Sequence, residues 1–113
     1  MAYQGTPVVY NHTLKADRRT IQVGSVAWFQ WLETVDAFSF QYPRSHTRLT
    51  IRKERRRHQF YWYAYTKYDS KLHNAYVGSS QYLTHDRLME TLDKINDKIR
   101  LFKANPLSHD ESA

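Results

Sequence analysis

The stretch Gln59–Tyr68 limits the folds open to this chain more than any other. It reads Phe60-Tyr61-Trp62-Tyr63-Ala64-Tyr65-Thr66-Lys67, dominated by aromatic and β-branched residues with no glycine or proline to interrupt it. Such a run fits a pleated, half-buried strand. Strand side chains alternate between two faces. Phe60, Trp62, Ala64 and Thr66 therefore share one face, and Tyr61, Tyr63, Tyr65 and Lys67 the other. The small Ala64 beside Trp62 lets a helix approach the first face, whereas phenol tips on the second tolerate water.

The neighbouring segments supply partners for this strand. Leu49–Glu54 alternates again, with Leu49 and Ile51 on one side and Thr50 and Arg52 on the other, and leads into a basic tip at Arg55-Arg56-Arg57-His58. Asp69-Ser70-Lys71 is a turn, and Leu72–Val77 returns. Its faces are ambiguous, because Ala75 and Val77 suit a core but so do Leu72 and Tyr76. Phe38–Tyr42 is a further period-two strand. Ser25 caps a short helix reaching Glu33, apolar on most sides and therefore buried, with Trp28 and Trp31 in the core. Thr84 opens a long helix whose Leu88, Leu92, Ile95, Ile99 and Phe102 form one apolar stripe, ended by Asn105-Pro106. The expected architecture is α+β: a three- to four-stranded antiparallel sheet with a short N-terminal helix and a long C-terminal amphipathic helix packed on one face. Residues 1–20 are polar without a clear period and are expected as an arm, with at most a short strand at Val8–Tyr10. Residues 21–104 form the single domain, and 105–113 a flexible tail.

Charge then narrows the function. The chain has 113 residues, enough for one domain, with a formal net charge of +6 and a pI near 9.7. Residues 1–40 are neutral and residues 81–113 carry −1, so the middle third, 41–80, holds the excess: nine basic residues against Glu54 and Asp69. Aromatics make up 15% of the chain, nine of them tyrosines. A basic, tyrosine-rich block points to a polyanion. Cysteine is absent, which excludes a disulfide framework and thiolate zinc sites. No run is long and apolar enough to span a bilayer, and Met1–Gly5 shows no secretory pattern. A cytoplasmic, nucleoid-associated setting is expected. There is no glycine-rich phosphate loop and no His-x-x-x-His pair, and Ser79-Ser80 lacks a base, so an enzyme, a metal, a cofactor and a small-molecule substrate are not expected.

Two arrangements of the tyrosine row are open: a second small core beneath the first helix, or an uncovered sheet surface. The uncovered surface would meet duplex DNA through Arg48, Thr50, Arg52, Lys53, Tyr61, Tyr63, Tyr65, Lys67, Lys71 and Asn74. Arg55, Arg56 and Arg57 would add phosphate contacts. Alternatives are a protein-interaction adaptor that uses the same tyrosines, binding to structured RNA, or a place in a larger protein–nucleic-acid complex.

The segments Gly24–Glu33, Phe38–Phe40, Leu49–Arg57, Tyr61–Tyr65, Ala75–Gly78 and Leu83–Leu88 together resemble a small module in the N-terminal part of large bacterial LuxR-type ATP-dependent regulators. The same module occurs in short standalone proteins of mobile elements. Tyr61-Trp62-Tyr63-Ala64-Tyr65 is the most specific piece. The order of strands and C-terminal helix is also similar to the arm-binding domains of tyrosine integrases and to plant ethylene-response domains, which present a sheet to the major groove. These resemblances imply DNA binding through Arg52, Tyr61, Tyr63 and Tyr65, in transcription regulation or as an accessory to transposition. The chain lacks the glycines usual around such hairpins.

Overall fold

A computed structural model describes residues 6–104; the first five residues of the expected arm and the expected tail over 105–113 lie outside them. Seven strands form one sheet: β1 (Val8–Tyr10), β2 (Thr13–Ala16), β3 (Arg19–Gln22), β4 (Ala37–Gln41), β5 (Arg48–Arg56), β6 (Gln59–Tyr68) and β7 (Lys71–Gly78). Two helices join them, α1 (Val26–Leu32) and α2 (His85–Ala104), with a short 3-10 turn at Ser80–Tyr82 before α2. The sheet order is β3-β2-β1-β4-β5-β6-β7. It is mixed, because β1 runs parallel to β4 while every other neighbouring pair is antiparallel.

This corrects the expected three- to four-stranded antiparallel sheet. The four strands β4 to β7 stand in the expected order, and the short strand expected at Val8–Tyr10 is β1, but the segment read as a polar lead-in also supplies β2 and the first half of β3, and all three join the sheet. The physical reason lies in their length. Each is three or four residues long and buries one apolar side chain, Val9, Leu14 or Ile21, so no period can emerge. Their turns contain no glycine. Asn11, Asp17 and Arg18 take positive φ, which Asn and Asp tolerate better than most residues, and the Asp17-Arg18 pair has the two-residue geometry that matches strand twist.

Both helices cover the same side of the sheet. Ser25 caps α1, its Oγ accepting the Trp28 N–H at 3.2 Å. Trp28, Trp31 and Leu32 turn inward onto Phe38 of β4, with ring centroids 5.4 and 5.8 Å away for the two tryptophans. Phe38 in turn lies 5.4 Å from Trp62 of β6. The Trp28 indole N–H donates to the Leu83 carbonyl at 2.7 Å, and that of Trp62 to Ser80 Oγ at 2.8 Å. These bonds fasten α1 and the sheet to the segment that leads into α2. Gly78 makes the bend out of β7 at φ +140°, beside the Tyr82 side chain. In α2, Thr84 Oγ1 accepts the Arg87 N–H, and Leu88, Leu92 and Ile95 are buried. Arg87 and Lys98 reach the β7 carbonyls of Val77 and Asn74, which blunts that sheet edge against pairing with another chain. No helix among the described residues is long and apolar enough to cross a membrane.

Two histidines tie stability to pH. His73 of β7 is buried, with its ring against Phe102. Burial, then Lys71 on its own strand and Lys98 of α2, hold its pKa below the usual range. His85 stacks on His12 with centroids 3.7 Å apart, faces Phe40 and has Asn11 Oδ1 at 3.0 Å. Its pKa is lowered by burial and then by His12, against a smaller opposing effect of Asp86. The unfolded chain takes up these protons near pH 6.5, and the folded one only at lower pH. Their contribution is therefore complete above that value and is lost as pH falls below it. The expected result is a lower Tm at about pH 5 than at about pH 7.5, with a smaller difference in His73→Leu. An unaltered difference in that variant would remove His73 from the explanation.

Candidate functional site

With α1 and α2 on one side, the other side of the sheet has no helix over it among the described residues. The register fixes what it presents. Ile51 pairs with Ala64, and Ala64 with Ala75, on the helix side. The alternate positions then form rows across the opposite face: Ser39, Thr50, Tyr65 and Asn74 in one, and Ala37, Arg52, Tyr63 and Tyr76 in the next. The ambiguity of the returning strand is resolved with His73, Ala75 and Val77 buried, and with Leu72 and Tyr76 about half exposed at 54% and 50%.

Aromatic and cationic groups touch one another on this face. Tyr76 meets Tyr63 edge-on with centroids 5.4 Å apart and Tyr61 at 6.0 Å. The Arg56 guanidinium lies 4.8 Å over the Tyr63 ring and pairs with Glu54 at 2.6 Å. Tyr65 donates its hydroxyl hydrogen to the other Glu54 oxygen. That bond, and then burial, raise the Tyr65 pKa and keep the phenol protonated. Glu54 is the one carboxylate at the strand positions of this face, against Lys15, Arg48, Arg52, Arg56 and Lys67. The acids of α2, Asp86, Glu90, Asp93 and Asp97, are exposed on the far side of the molecule from it, interspersed there with Arg87, Lys94, Lys98, Arg100 and Lys103. What sets the tyrosine side apart is that its strand cations face a single carboxylate, a local excess that an approaching polyanion meets beside the aromatic rings.

The β5–β6 hairpin extends past its neighbours. The last β4 pairing is Ala37 with Arg52, and the last β7 pairing is Gly78 with Trp62. Beyond these, Glu54–Tyr61, Arg55–Phe60 and Arg56–Gln59 continue as a two-stranded ribbon, reaching about 10 Å at the usual rise per residue. Arg57, at φ 60°, and His58 close its tip.

The structure brings Arg48, Thr50, Arg52, Arg56, Tyr61, Tyr63, Tyr65, Lys67 and Asn74 of the expected set onto one face. It does not bring Lys53, Arg55 or Lys71 there. Lys53 is a latch on the helix side: its Nζ donates to the Leu32 carbonyl at 2.9 Å and sits 5.3 Å from the Trp62 ring. Arg55 lies beside Phe60, and Lys71 shares the parity of the buried His73. The sequence reading missed Tyr76, which alternation could not assign, Tyr10, whose short strand had no assigned place in the sheet, and Thr13 and Lys15, which lie in a strand too short to recognise. Compared with known proteins, the chain matches no family model, no curated protein and no solved structure.

Proposed function

We propose that the protein is a nucleic-acid-binding module whose tyrosine–arginine sheet face and β5–β6 ribbon contact duplex DNA. The observation that carries this reading is the stacking of both helices on one side, which leaves a cationic aromatic face that no helix covers among the described residues. Six interstrand spacings make the sheet about 29 Å wide, more than twice the roughly 12 Å of the major groove. The sheet as a whole therefore cannot enter the groove, but the projecting two-stranded ribbon can. Arg56 and Arg57 then reach the groove or its phosphates, the exposed Arg55 on the ribbon's other face meets the phosphates of the opposite wall, and Thr50, Arg52, Tyr63, Tyr65 and Asn74 follow the flanking backbone. The role proposed for such a module, by its motif resemblance, is in transcription regulation or as an accessory to transposition of a bacterial mobile element.

A second reading has its own support. Tyr63 and the half-exposed Tyr76 form an edge-on pair on the sheet surface, and such aromatic groups give unpaired bases a platform to stack on. A fluorescence-anisotropy titration separates the two, using a labelled duplex of about 20 base pairs, one of its single strands and the matching RNA, at about 50 and 200 mM salt. The expected result is preference for the duplex, with affinity falling tenfold or more across that salt range. Preference for a single strand selects the stacking reading. Binding to none of the three overturns both, and leaves the face to a protein partner.

A further inference from the structure

At the opposite end of β5 from the arginine tip lies a cleft of about 780 Å³ between the β4–β5 loop, the end of β6 and the last turns of α2. Its lining carries Arg44, Arg48, Lys67, Arg100 and Lys103, with the His46 ring among them. No carboxylate lines it among the described residues, although Arg100 also pairs with Asp97 at 2.7 Å. The walls are braced. Thr47 donates its hydroxyl hydrogen to Asn96 Oδ1 at 2.5 Å, tying the loop to α2. Thr66 donates to the Arg48 carbonyl at 2.9 Å. The Tyr68 ring, a lining group, has Lys103 Nζ 5.7 Å above it.

Five permanent cations from four segments, the β4–β5 loop, β5, β6 and α2, line one cleft and repel one another, and a cleft built this way is most stable with an anion inside. Guanidinium groups suit phosphate oxygens in particular, because they donate two hydrogen bonds in one plane. The volume exceeds a single inorganic phosphate and suits a run of linked phosphates. Arg48 and Lys67 belong both to this cleft and to the tyrosine face, so the two surfaces are continuous. From Arg48 to Arg56 the strand advances about 27 Å, which separates two cationic sites along one path.

We propose that this cleft is a phosphate-binding site. Resting on the reading above, its phosphates are those of the nucleic-acid backbone, gripped at a second point beyond the ribbon. The test uses Arg44→Gln, Lys67→Gln and Lys103→Gln combined, all three exposed and so removable without loss of the fold, as checked by an unchanged Tm. Two probes are titrated, the labelled duplex and inorganic tripolyphosphate, the latter followed through the amide signals of Thr66 and Asn96.

The expected result is duplex affinity about tenfold weaker, a log–log salt slope shallower by about two to three, and tripolyphosphate shifts in the wild type that vanish in the variant. Tripolyphosphate shifts with no duplex binding by the wild type keep the cleft as a site for free phosphates and overturn the nucleic-acid reading. Unchanged duplex affinity with tripolyphosphate shifts likewise assigns the cleft to a free phosphate source. Duplex affinity and slope equal to wild type, with no tripolyphosphate shift, overturn the cleft while leaving the ribbon's role intact.

Discussion

Alanine at Arg55, Arg56 and Arg57 together is expected to weaken duplex binding about a hundredfold at low salt and to flatten its salt dependence. The three side chains are exposed and crowd the end of a ribbon with no strand beside it. Each cation that neutralises a phosphate releases a condensed counterion, so losing three lowers the log–log slope by about 2.7. At about 1 kcal/mol each, the summed loss of about 3 kcal/mol corresponds to a factor of roughly a hundred or more. Arg56 contributes beyond its charge, because it lies over Tyr63 and pairs with Glu54. Its removal leaves the Glu54 carboxylate facing the incoming phosphates with one partner fewer. Tm should stay close to wild type, because none of the three supports the core. Isothermal titration at two salt concentrations checks this, and unchanged affinity and slope would detach the ribbon from binding.

Trp28→Ala is expected to lower stability by about 3–5 kcal/mol, a large part of the 5–15 kcal/mol that holds a typical domain together. Trp28 is fully buried and packs on Trp31 and Phe38. Its indole N–H satisfies the Leu83 carbonyl from 55 residues away. Truncation opens a cavity at the junction of α1, β4 and the lead into α2, and leaves that buried carbonyl without its donor. For a domain of this size the change corresponds to a fall in Tm of roughly 15–25 °C. Trp28→Phe keeps most of the ring and loses the hydrogen bond, so its cost should fall near 1–3 kcal/mol. Thermal melts by circular dichroism check both variants. Equal costs would mean that ring volume contributes little there.

The long elements were legible in the sequence because they are amphipathic over many residues. Gln59–Tyr68 alternates through ten residues, and the α2 stripe from Leu88 to Ile95 is buried as the i+4 and i+3 spacing requires. The Ser25 cap and the inward Trp28 and Trp31 followed from local rules alone. Val8–Tyr10 was legible as a short strand, but β2 and β3 were not, because one buried residue per strand leaves no pattern to count, and the place of β1 in the sheet was not, because its parallel pairing with β4 depends on contacts some 30 residues apart in the chain. The same tertiary information decided the site. Parity separated Arg52 from Lys53, but only the shared position of the two helices determines which parity faces outward. The Lys53 bond to Leu32 shows a basic residue drawn into structure by the end of α1, which charge counting along the chain cannot register.

A nucleic acid lying on the tyrosine–arginine face would be seen in the backbone amide signals during the duplex titration. The expected shifts run along β5, β6 and β7 at Arg52, Arg56, Tyr63, Tyr65, Asn74 and Tyr76, at the ribbon tip and at the Arg48–Lys67 end, with the α1 amides and the first three turns of α2 unmoved. Shifts concentrated on those helices, with the tyrosine rows silent, would contradict that placement.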